Sequence, residues 1–383
     1  MAERKELQQT KNAFKVIGKV TRIDKEGAFK DDVADKGKRI GQNYHSLRFG
    51  VKTSETNEIT VSMFDYEPEE IFLWNSEKRK ANKNYKGDRV AFDKWEANQD
   101  QFREEGYAVL QTRIGVTYGE DGKLESKGLP SYVASEVIFN NLDNGDFVEI
   151  EGEIRYSSFE DQNTGKMRES KTFTIKKLHK KADIDFEDAK FEEVTYFEQE
   201  MVFVGAELDK ENSKVYVTGR VIDFAKNFHD TQFVVDYSDG EGGHDEGMVK
   251  LSQAFLKKFK FGDLFNAFGD TLNRVIIEEK EGQEEEQDED LAMLLGGKKK
   301  PKHAESYQAR TYISEMQIHG VDAWDKKFYK EQDFIIEEKE DKDAKNPFAD
   351  DDLDLGGKGS KNPFSDSKEE DASIDISDDD LPF

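Results

Sequence analysis

The sequence has 383 residues, no cysteine and a formal net charge of -27. The lack of cysteine excludes disulfide bonds and thiolate metal sites. The charged N-terminus lacks the apolar segment of a secretory signal, and no apolar run approaches the ~20 residues of a membrane span. We therefore expect a soluble, cytoplasmic protein without a membrane partner, long enough for two domains and a tail.

The negative charge is concentrated in the second half of the chain. The net charge is zero over residues 1–181, -14 over 182–330 and -13 over 331–383. Only the first region is therefore electrostatically suited to phosphate groups, whereas the last is a tethered polyanion. We predict a first domain at 1–181, a second at 182–330 and a disordered acidic tail at 331–383, where periodic apolar residues are lacking.

The first region contains five segments in which apolar and polar residues alternate, as they do in strands with one wet face. These segments are 14–23, 44–52, 57–64, 145–156 and 171–178. Gly18 in the middle of the first segment indicates a bulge or a bend. An insertion at about 65–140 separates the third segment from the fourth, and it is predicted to contain a helix opening at 69–74, a strand or hairpin at 107–116 and a short helix at 131–140. Three strands, an insertion with a helix and two further strands are typical of a five-stranded OB-fold barrel.

The same order of elements recurs after a predicted linker at 182–195. The predicted strands are 214–224, 231–237, 247–251, 270–278 and 310–318, with a helix at 252–259 and a long acidic and basic loop at about 278–303. Gly219, like Gly18, lies in mid-strand before a basic residue, so we infer a weak internal duplication. The predicted fold is mostly β with minor α: two OB-fold-like five-stranded barrels in tandem, followed by the disordered acidic tail.

Aromatic and basic residues of the first region form the candidate binding set. Binding of a single strand requires cations for the phosphates and exposed rings on which bases stack. The predicted ssDNA-binding residues are Tyr44, Arg48, Phe49, Lys52, Phe64, Trp74, Lys78, Arg79, Lys80, Lys83, Lys86, Trp95, Tyr156 and Phe159. Trp74 borders the densest basic run, and Tyr156 and Phe159 adjoin the hairpin between strands four and five. The alternative is that the aromatic residues belong to the core and the lysines to a solvated face.

Motifs of catalysis and of cofactor binding are absent from the sequence. Gly296-Gly297-Lys298-Lys299 lacks the earlier glycine and the following Ser or Thr of a P-loop. The six histidines are scattered, without the spacing of metal ligands. We therefore expect no enzymatic activity, no cofactor and no resident metal.

The last residues, Asp378, Asp379, Asp380, Leu381, Pro382 and Phe383, combine three carboxylates with a terminal aromatic ring. Such a tip can place its ring in an apolar pocket of another protein, while its carboxylates meet basic residues at the pocket rim. The resulting contact is expected to be weak and sensitive to salt. The alternative is an acidic tail that serves only solubility.

Residues 375–383 resemble the C-terminal tip of bacterial single-stranded DNA-binding proteins, particularly those of Gram-positive bacteria and their phages. Residues 346–350 and 362–366 resemble the stretch upstream of that tip. In that family the tip recruits helicase, primase and repair proteins, while an OB-fold holds the DNA. The resemblance implies a protein that coats and protects ssDNA during replication and recombination and recruits partners through 378–383, in a bacterial host cytoplasm if it is phage-encoded.

Two features of the sequence depart from that family. Its members usually have one OB-fold in each chain and assemble as tetramers, so a chain with two barrels is expected to be a monomer or a small homo-oligomer. No segment of the body matches the family. The alternatives are therefore a recombination mediator or strand-annealing protein, and a replisome adaptor whose barrels do not contact DNA.

Overall fold

A computed structural model describes residues 4–160, 167–188, 190–240, 242–280 and 307–335, and most of its regular structure is β, which confirms the predicted fold class. The first half contains β1 (Asn12–Thr21), β2 (Phe29–Val33), β3 (Asn43–Lys52), β4 (Glu58–Tyr66), β5 (Glu70–Asn75), α1 (Ser76–Ala81), β6 (Asp88–Ala91), α2 (Phe92–Ala97), α3 (Gln99–Glu104), β7 (Tyr107–Val109), β8 (Thr112–Tyr118), β9 (Leu124–Leu129), α4 (Ser131–Asn141), β10 (Phe147–Glu160) and β11 (Met167–Lys180). The second half contains β12 (Val194–Asp209), β13 (Lys214–Ile222), β14 (Phe228–Asp236), α5 (Glu246–Lys257), β15 (Leu264–Lys280), β16 (Tyr307–Asp325) and a 3-10 helix (Glu331–Phe334).

Several predictions lie outside the described residues. They are the disordered state of the tail beyond residue 335, the tip at 378–383 and most of the loop at 278–303. In the described part of the chain, no helix has both the length and the apolar character that crossing a membrane requires.

Five strands of the first half form a closed sheet, which we call the first closed sheet. Its order is β1-β3-β4-β11-β10, and β10 pairs with β1 to complete the circuit. Alternation along β3 directs Leu47, Phe49 and Val51 into the interior and leaves Arg48 exposed. α4 lies between the third and fourth of these strands in the chain and buries Ala134 and Ile138. The core of the first half therefore lies inside this circuit.

Five strands of the second half form a second closed sheet, in the order β12-β13-β14-β16-β15 with β15 paired to β12. α5 again lies between the third and fourth of these strands. The two closed sheets are joined because β1 also pairs with β12, matching Asn12–Ile17 with Val194–Gln199. Asn57, fully buried at the junction, donates to Glu193 (2.8 Å) and accepts from the backbone N–H of Asn273 (2.7 Å).

The insertion between β4 and α4 builds a separate three-stranded sheet in the order β6-β5-β7. Ile71 and Leu73 on β5, and Phe92 and Trp95 on α2, are buried and belong to the same apolar cluster as the interior of the first closed sheet. The insertion is thus packed onto the first closed sheet by a continuous core.

Four predicted elements are wrong. The helix predicted to open at 69–74 is β5, because Ile71 and Leu73 are buried while Phe72 is exposed and Trp74 half-buried, a period of two. The polar, lysine-rich segment 25–43, between the first two predicted strands, is predicted from its composition to be a loop, but it contains β2. A strand was missed after the linker predicted at 182–195: β12 begins at Val194 and its central residues are buried, so the segment predicted as the first strand of the second region is the second.

The fourth error concerns 247–251, predicted as a strand, which lies in α5. Asp245 caps the helix by accepting a hydrogen bond from the backbone N–H of Met248 (2.8 Å). Met248, Leu251 and Phe255 then follow at helical spacing and pack on the core. Five residues with alternating apolar character are too few to distinguish the two periods.

Candidate nucleic-acid interface

The outer face of β3 and β4 presents three aromatic rings close together. Alternation along the strands places Tyr44 on β3, and Phe64 and Tyr66 on β4, away from the interior. Tyr44 pairs directly with Tyr66 in the register. The ring centroid of Phe64 lies 5.4 Å from that of Tyr44 and 5.1 Å from that of Tyr66. Because antiparallel pairing fixes these positions, the rings form a rigid apolar platform at the surface.

Two arginines flank this platform. The Arg39 guanidinium carbon lies 4.5 Å from the centroid of the Tyr66 ring. Arg48 is exposed and stands on the same face of β3, two residues from Ser46, which pairs with Phe64. In the described part of the chain neither guanidinium group forms an ion pair, whereas Arg22 near the hairpin turn is paired with Glu58 (2.5 Å). Arg39 and Arg48 can therefore offer charge to a phosphate without losing a carboxylate partner.

A groove of about 840 Å³ runs from Tyr66 to the insertion. Phe72 (44% exposed) and Leu110 (62% exposed) stand on its opposite wall, so both walls offer apolar surface. The groove is also lined by Arg39, Gln42, Asp65, Glu67, Pro68, Glu69, Glu70, Ile71, Val109 and Gln111. Its charged lining consists of one arginine and four carboxylates, so the groove is predominantly negative and suits a base edge better than a phosphate.

Asp65 is a half-buried carboxylate among the residues that line this groove. Burial raises the pKa of its carboxyl group, although hydrogen bonds from Gln111 Nε2 (2.7 Å) and the backbone N–H of Tyr66 (2.9 Å) act in the opposite direction. Two other lining carboxylates have partners: Glu67 accepts from Asn43 (2.5 Å), and Glu70 lies 3.5 Å from Arg89. These contacts reduce the repulsion that the groove would exert on a polyanion.

The insertion holds the predicted basic run next to Trp74. Trp74 is half-buried, and its ring lies 5.6 Å from that of Tyr85. Lys78 donates to the hydroxyl of Tyr107 and to Asp88 (2.9 Å), and these bonds raise the pKa of Lys78 and lower that of Asp88. Much of the run is therefore partnered already.

The other basic residues of the run divide into two groups. Lys80 is paired with Glu77 (2.7 Å), and Arg79 donates to the carbonyl groups of Lys83 and Tyr85. Lys83 and Lys86 are exposed, and their ammonium groups form no ion pair within the described ranges. These two lysines are the part of the predicted run that is open to phosphate.

Three predicted stacking residues are wrong, because their rings lie in the interior. Phe49 is 1% exposed inside the first closed sheet, and Trp95 is 3% exposed beneath the insertion. Tyr156 is buried where the two closed sheets meet, and its hydroxyl donates to Gln199 Oε1 (3.0 Å). Alternation alone does not tell which face of a strand is the inner one, so Phe49 and Tyr156 could not be separated from Tyr44 and Phe64, whereas Trp95 is buried because α2 packs its ring into the core.

The remaining predicted residues are placed as follows. Lys52 is half-buried and paired with Glu55 (2.8 Å) at the turn between β3 and β4, and the side chain of Phe159 lies outside the described set.

Two residues of the candidate site, Tyr66 and Arg39, were missed by the prediction from sequence. Tyr66 continues the outward period of Phe64, so this signal was available in the sequence. Arg39 lies in the loop between β2 and β3, where no period exists, and only the fold places it over Tyr66.

Comparisons with known proteins give a family match and several similar structures. A family model described as YorF matches residues 80–350. No curated protein matches the chain. Two crystal structures of the single-stranded DNA-binding protein of Thermus aquaticus are similar. For a deletion variant the identity is 10% and the TM-score 0.33, over 69% of this chain and 88% of that one. For the wild type the identity is 10% and the TM-score 0.31, over 70% and 87%.

Proposed function

The chain belongs to the YorF family, and we propose that it binds single-stranded DNA on the outer face of β3 and β4. In this proposal the protein coats and protects ssDNA during replication or recombination and catalyses no reaction. The observation that carries the proposal is the cluster of Tyr44, Phe64 and Tyr66 with two arginines beside it, Arg39 and Arg48, that form no ion pair with any carboxylate among the described residues. Such a surface provides both ingredients of single-strand binding, stacking and charge.

The geometry favours an unpaired strand over a duplex. Aromatic rings stack on the faces of bases, and these faces are accessible only where the bases are unpaired and splayed apart. The rings on β3 and β4 stand on a rigid strand pair, so little conformational entropy is lost when a base stacks on them. The groove toward Phe72 extends the path to the insertion, where Lys83 and Lys86 are exposed.

The test of this function is a titration of fluorescein-labelled oligo-dT with the full chain at several salt concentrations. We expect binding that weakens steeply with salt, because each phosphate contact releases counterions. Arg48→Ala should weaken binding to all sequences alike and reduce the magnitude of the slope of log K against log salt by about 0.7. The absence of any binding at low salt would contradict the proposal and leave the adaptor role, whereas preferential annealing of complementary strands would favour the annealing protein.

We also propose that the tip at 378–383 recruits replication or repair proteins in the cytoplasm. The proposal is supported by the sequence of the tip, with Asp378, Asp379 and Asp380 beside a terminal aromatic residue. Phe383→Ala should abolish capture of a purified partner helicase or primase while the affinity for oligo-dT stays unchanged. Unchanged capture by this variant would mean that the tip contributes only to solubility.

Two barrels in each chain favour a monomer or a small homo-oligomer.

A further inference from the structure

The two closed sheets present the same hairpin, so their outer faces can be compared residue by residue. β3 and β4 are joined by residues 53–57, and β13 and β14 by residues 223–227. The pairs next to the turns are Lys52 with Glu58, and Ile222 with Phe228. Both hairpins are antiparallel throughout, so counting outward from the turns gives an unambiguous correspondence.

This correspondence shows that the second closed sheet lacks the binding residues. Counting from the turns places Lys214, Thr218, Val234 and Asp236 at the positions of Tyr44, Arg48, Phe64 and Tyr66, respectively. None of these four positions holds an aromatic ring, and a carboxylate stands where Tyr66 stands; the ring on the outer face of β13, that of Tyr216, takes the position of Ser46 instead. Val234 is moreover 3% exposed, so this position is not accessible to a base.

The cations on the outer face of β13 are already neutralised. Lys214 Nζ donates to both carboxylate oxygens of Glu315 (2.7 and 2.9 Å). Arg220 forms a two-point ion pair with Asp230 (2.6 and 2.7 Å). The side chains of Lys214 and Arg220 are only 16% and 14% exposed. A phosphate would have to displace a carboxylate from each of them, whereas Arg39 and Arg48 have no ion pair with a described residue to lose.

The end of this face nearest the turn is covered by the chain itself. The Arg220 guanidinium carbon lies beside two rings that contact each other, 4.4 Å from the centroid of Phe228 and 4.6 Å from that of Phe334. Ile222 is 1% exposed in a cluster that includes Tyr329 and Phe334. The segment 326–335, which carries these two rings, therefore occupies this end of the second closed sheet.

Backbone hydrogen bonds fasten this segment at several points. The backbone N–H of Tyr329 donates to the carbonyl of Gly262 (2.9 Å), and that of Lys327 donates to Asp263 Oδ1 (2.8 Å). From the other end of the chain, the backbone N–H of Gln8 donates to the Tyr329 hydroxyl (3.0 Å), and that of Lys5 donates to Asp333 Oδ1 (3.0 Å). Because these hydrogen bonds join segment 326–335 to residues far away in the sequence, the segment is expected to unfold only together with the second closed sheet.

We infer that each chain has one nucleic-acid site, on the first closed sheet, and that the corresponding face of the second closed sheet serves as the anchor of segment 326–335. The inference rests on the proposed function and specifies where that function is carried out. The tail follows directly after the anchor, so it departs from the closed sheet that does not bind DNA. Binding of DNA to the first closed sheet is therefore expected to leave segment 326–335 in place.

The test is a stoichiometric titration of the full chain with a short oligo-dT, together with hydrogen exchange in the bound state. We expect one oligonucleotide per chain, with amide protection gained in 43–66 and unchanged in 214–236 and 326–335. The double variant Phe64→Ala and Tyr66→Ala should lose all binding. Tyr216→Ala, on the corresponding outer face of β13, is the matched control and should bind as the wild type does.

Three results would overturn the inference. The first is a stoichiometry of two oligonucleotides per chain, and the second is a gain of amide protection in 214–236. The third is residual binding by the double variant that disappears when Tyr216→Ala is added to it. Each would place a second site on the second closed sheet. In all three cases the proposed function would stand, because the wild type would still bind. A wild type that binds no oligonucleotide would instead contradict the proposed function itself, and the inference with it.

Discussion

Removal of single rings from the outer face of β3 and β4 is expected to weaken ssDNA binding strongly. Phe64→Ala and Tyr66→Ala should each reduce the affinity for oligo-dT by about 5- to 150-fold, because stacking of one base contributes about 1–3 kcal/mol. The two rings lie 5.1 Å apart, so their effects are expected to be non-additive in the double variant. The measurement is fluorescence anisotropy of labelled oligo-dT at one low salt concentration.

Two control variants separate stacking from packing. Phe64→Leu keeps apolar bulk at the surface and removes the ring, so it should lose affinity as Phe64→Ala does. Tyr196→Ala removes a ring that is 38% exposed on β12, outside the cluster, and it should bind normally. If Phe64→Leu bound oligo-dT as tightly as the wild type, the ring would be a packing residue and the platform would not be the site.

Gly18→Ala is expected to cause a large loss of stability. A Cβ atom at Gly18 would overlap the carbonyl oxygen of Lys52 and lie 2.8 Å from its carbonyl carbon and 3.0 Å from Thr53 Cα. These atoms are backbone, which cannot rotate away, and β1 and β3 close the first sheet at this point through the pairs Lys19–Lys52, Val20–Val51 and Thr21–Gly50. Overpacking of this kind should lower the free energy of unfolding by about 3 kcal/mol.

Gly205→Ala on β12 is the matched control for this substitution. A Cβ atom there would meet no heavy atom within 4 Å, and the backbone of Gly205 is not left-handed. Urea unfolding should therefore show a lower midpoint for Gly18→Ala with an unchanged m-value, and little change for Gly205→Ala. Equal midpoints for Gly18→Ala and the wild type would mean that the closure between β1 and β3 is looser than the structure shows.

The binding face depends on the closure that Gly18 permits. β3 carries Tyr44 and Arg48, and its pairing with β1 holds it in the first closed sheet. A variant in which this pairing is strained should therefore lose ssDNA affinity near its unfolding transition and retain it well below that transition. Ring variants at Phe64 and Tyr66 should lose affinity under all conditions, since their defect is at the surface.

The amino-acid sequence by itself determined the class of the fold and the position of most strands of the first half. Period-two alternation survives in β1, β3, β4 and β10 because one face of each strand is buried and the other is wet. The sequence also indicated α4, which was predicted at 131–140 and spans Ser131–Asn141. It also placed Tyr44, Phe64 and Arg48 among the candidates, because rings and cations on such strands are visible without any structure.

Only the tertiary structure decided which rings are available and where the unpaired charges lie. Phe49 and Phe64 have similar local patterns, yet closure of the sheet buries the first and leaves the second half-buried on the outer face. Arg48 and Arg220 lie on the second strand of the first and of the second closed sheet, respectively. Arg220 forms an ion pair with Asp230 and packs on the ring of Phe334, whereas no described carboxylate pairs with Arg48. Burial and ion pairing depend on residues that are distant in the chain, and such contacts exist only once the strands have closed.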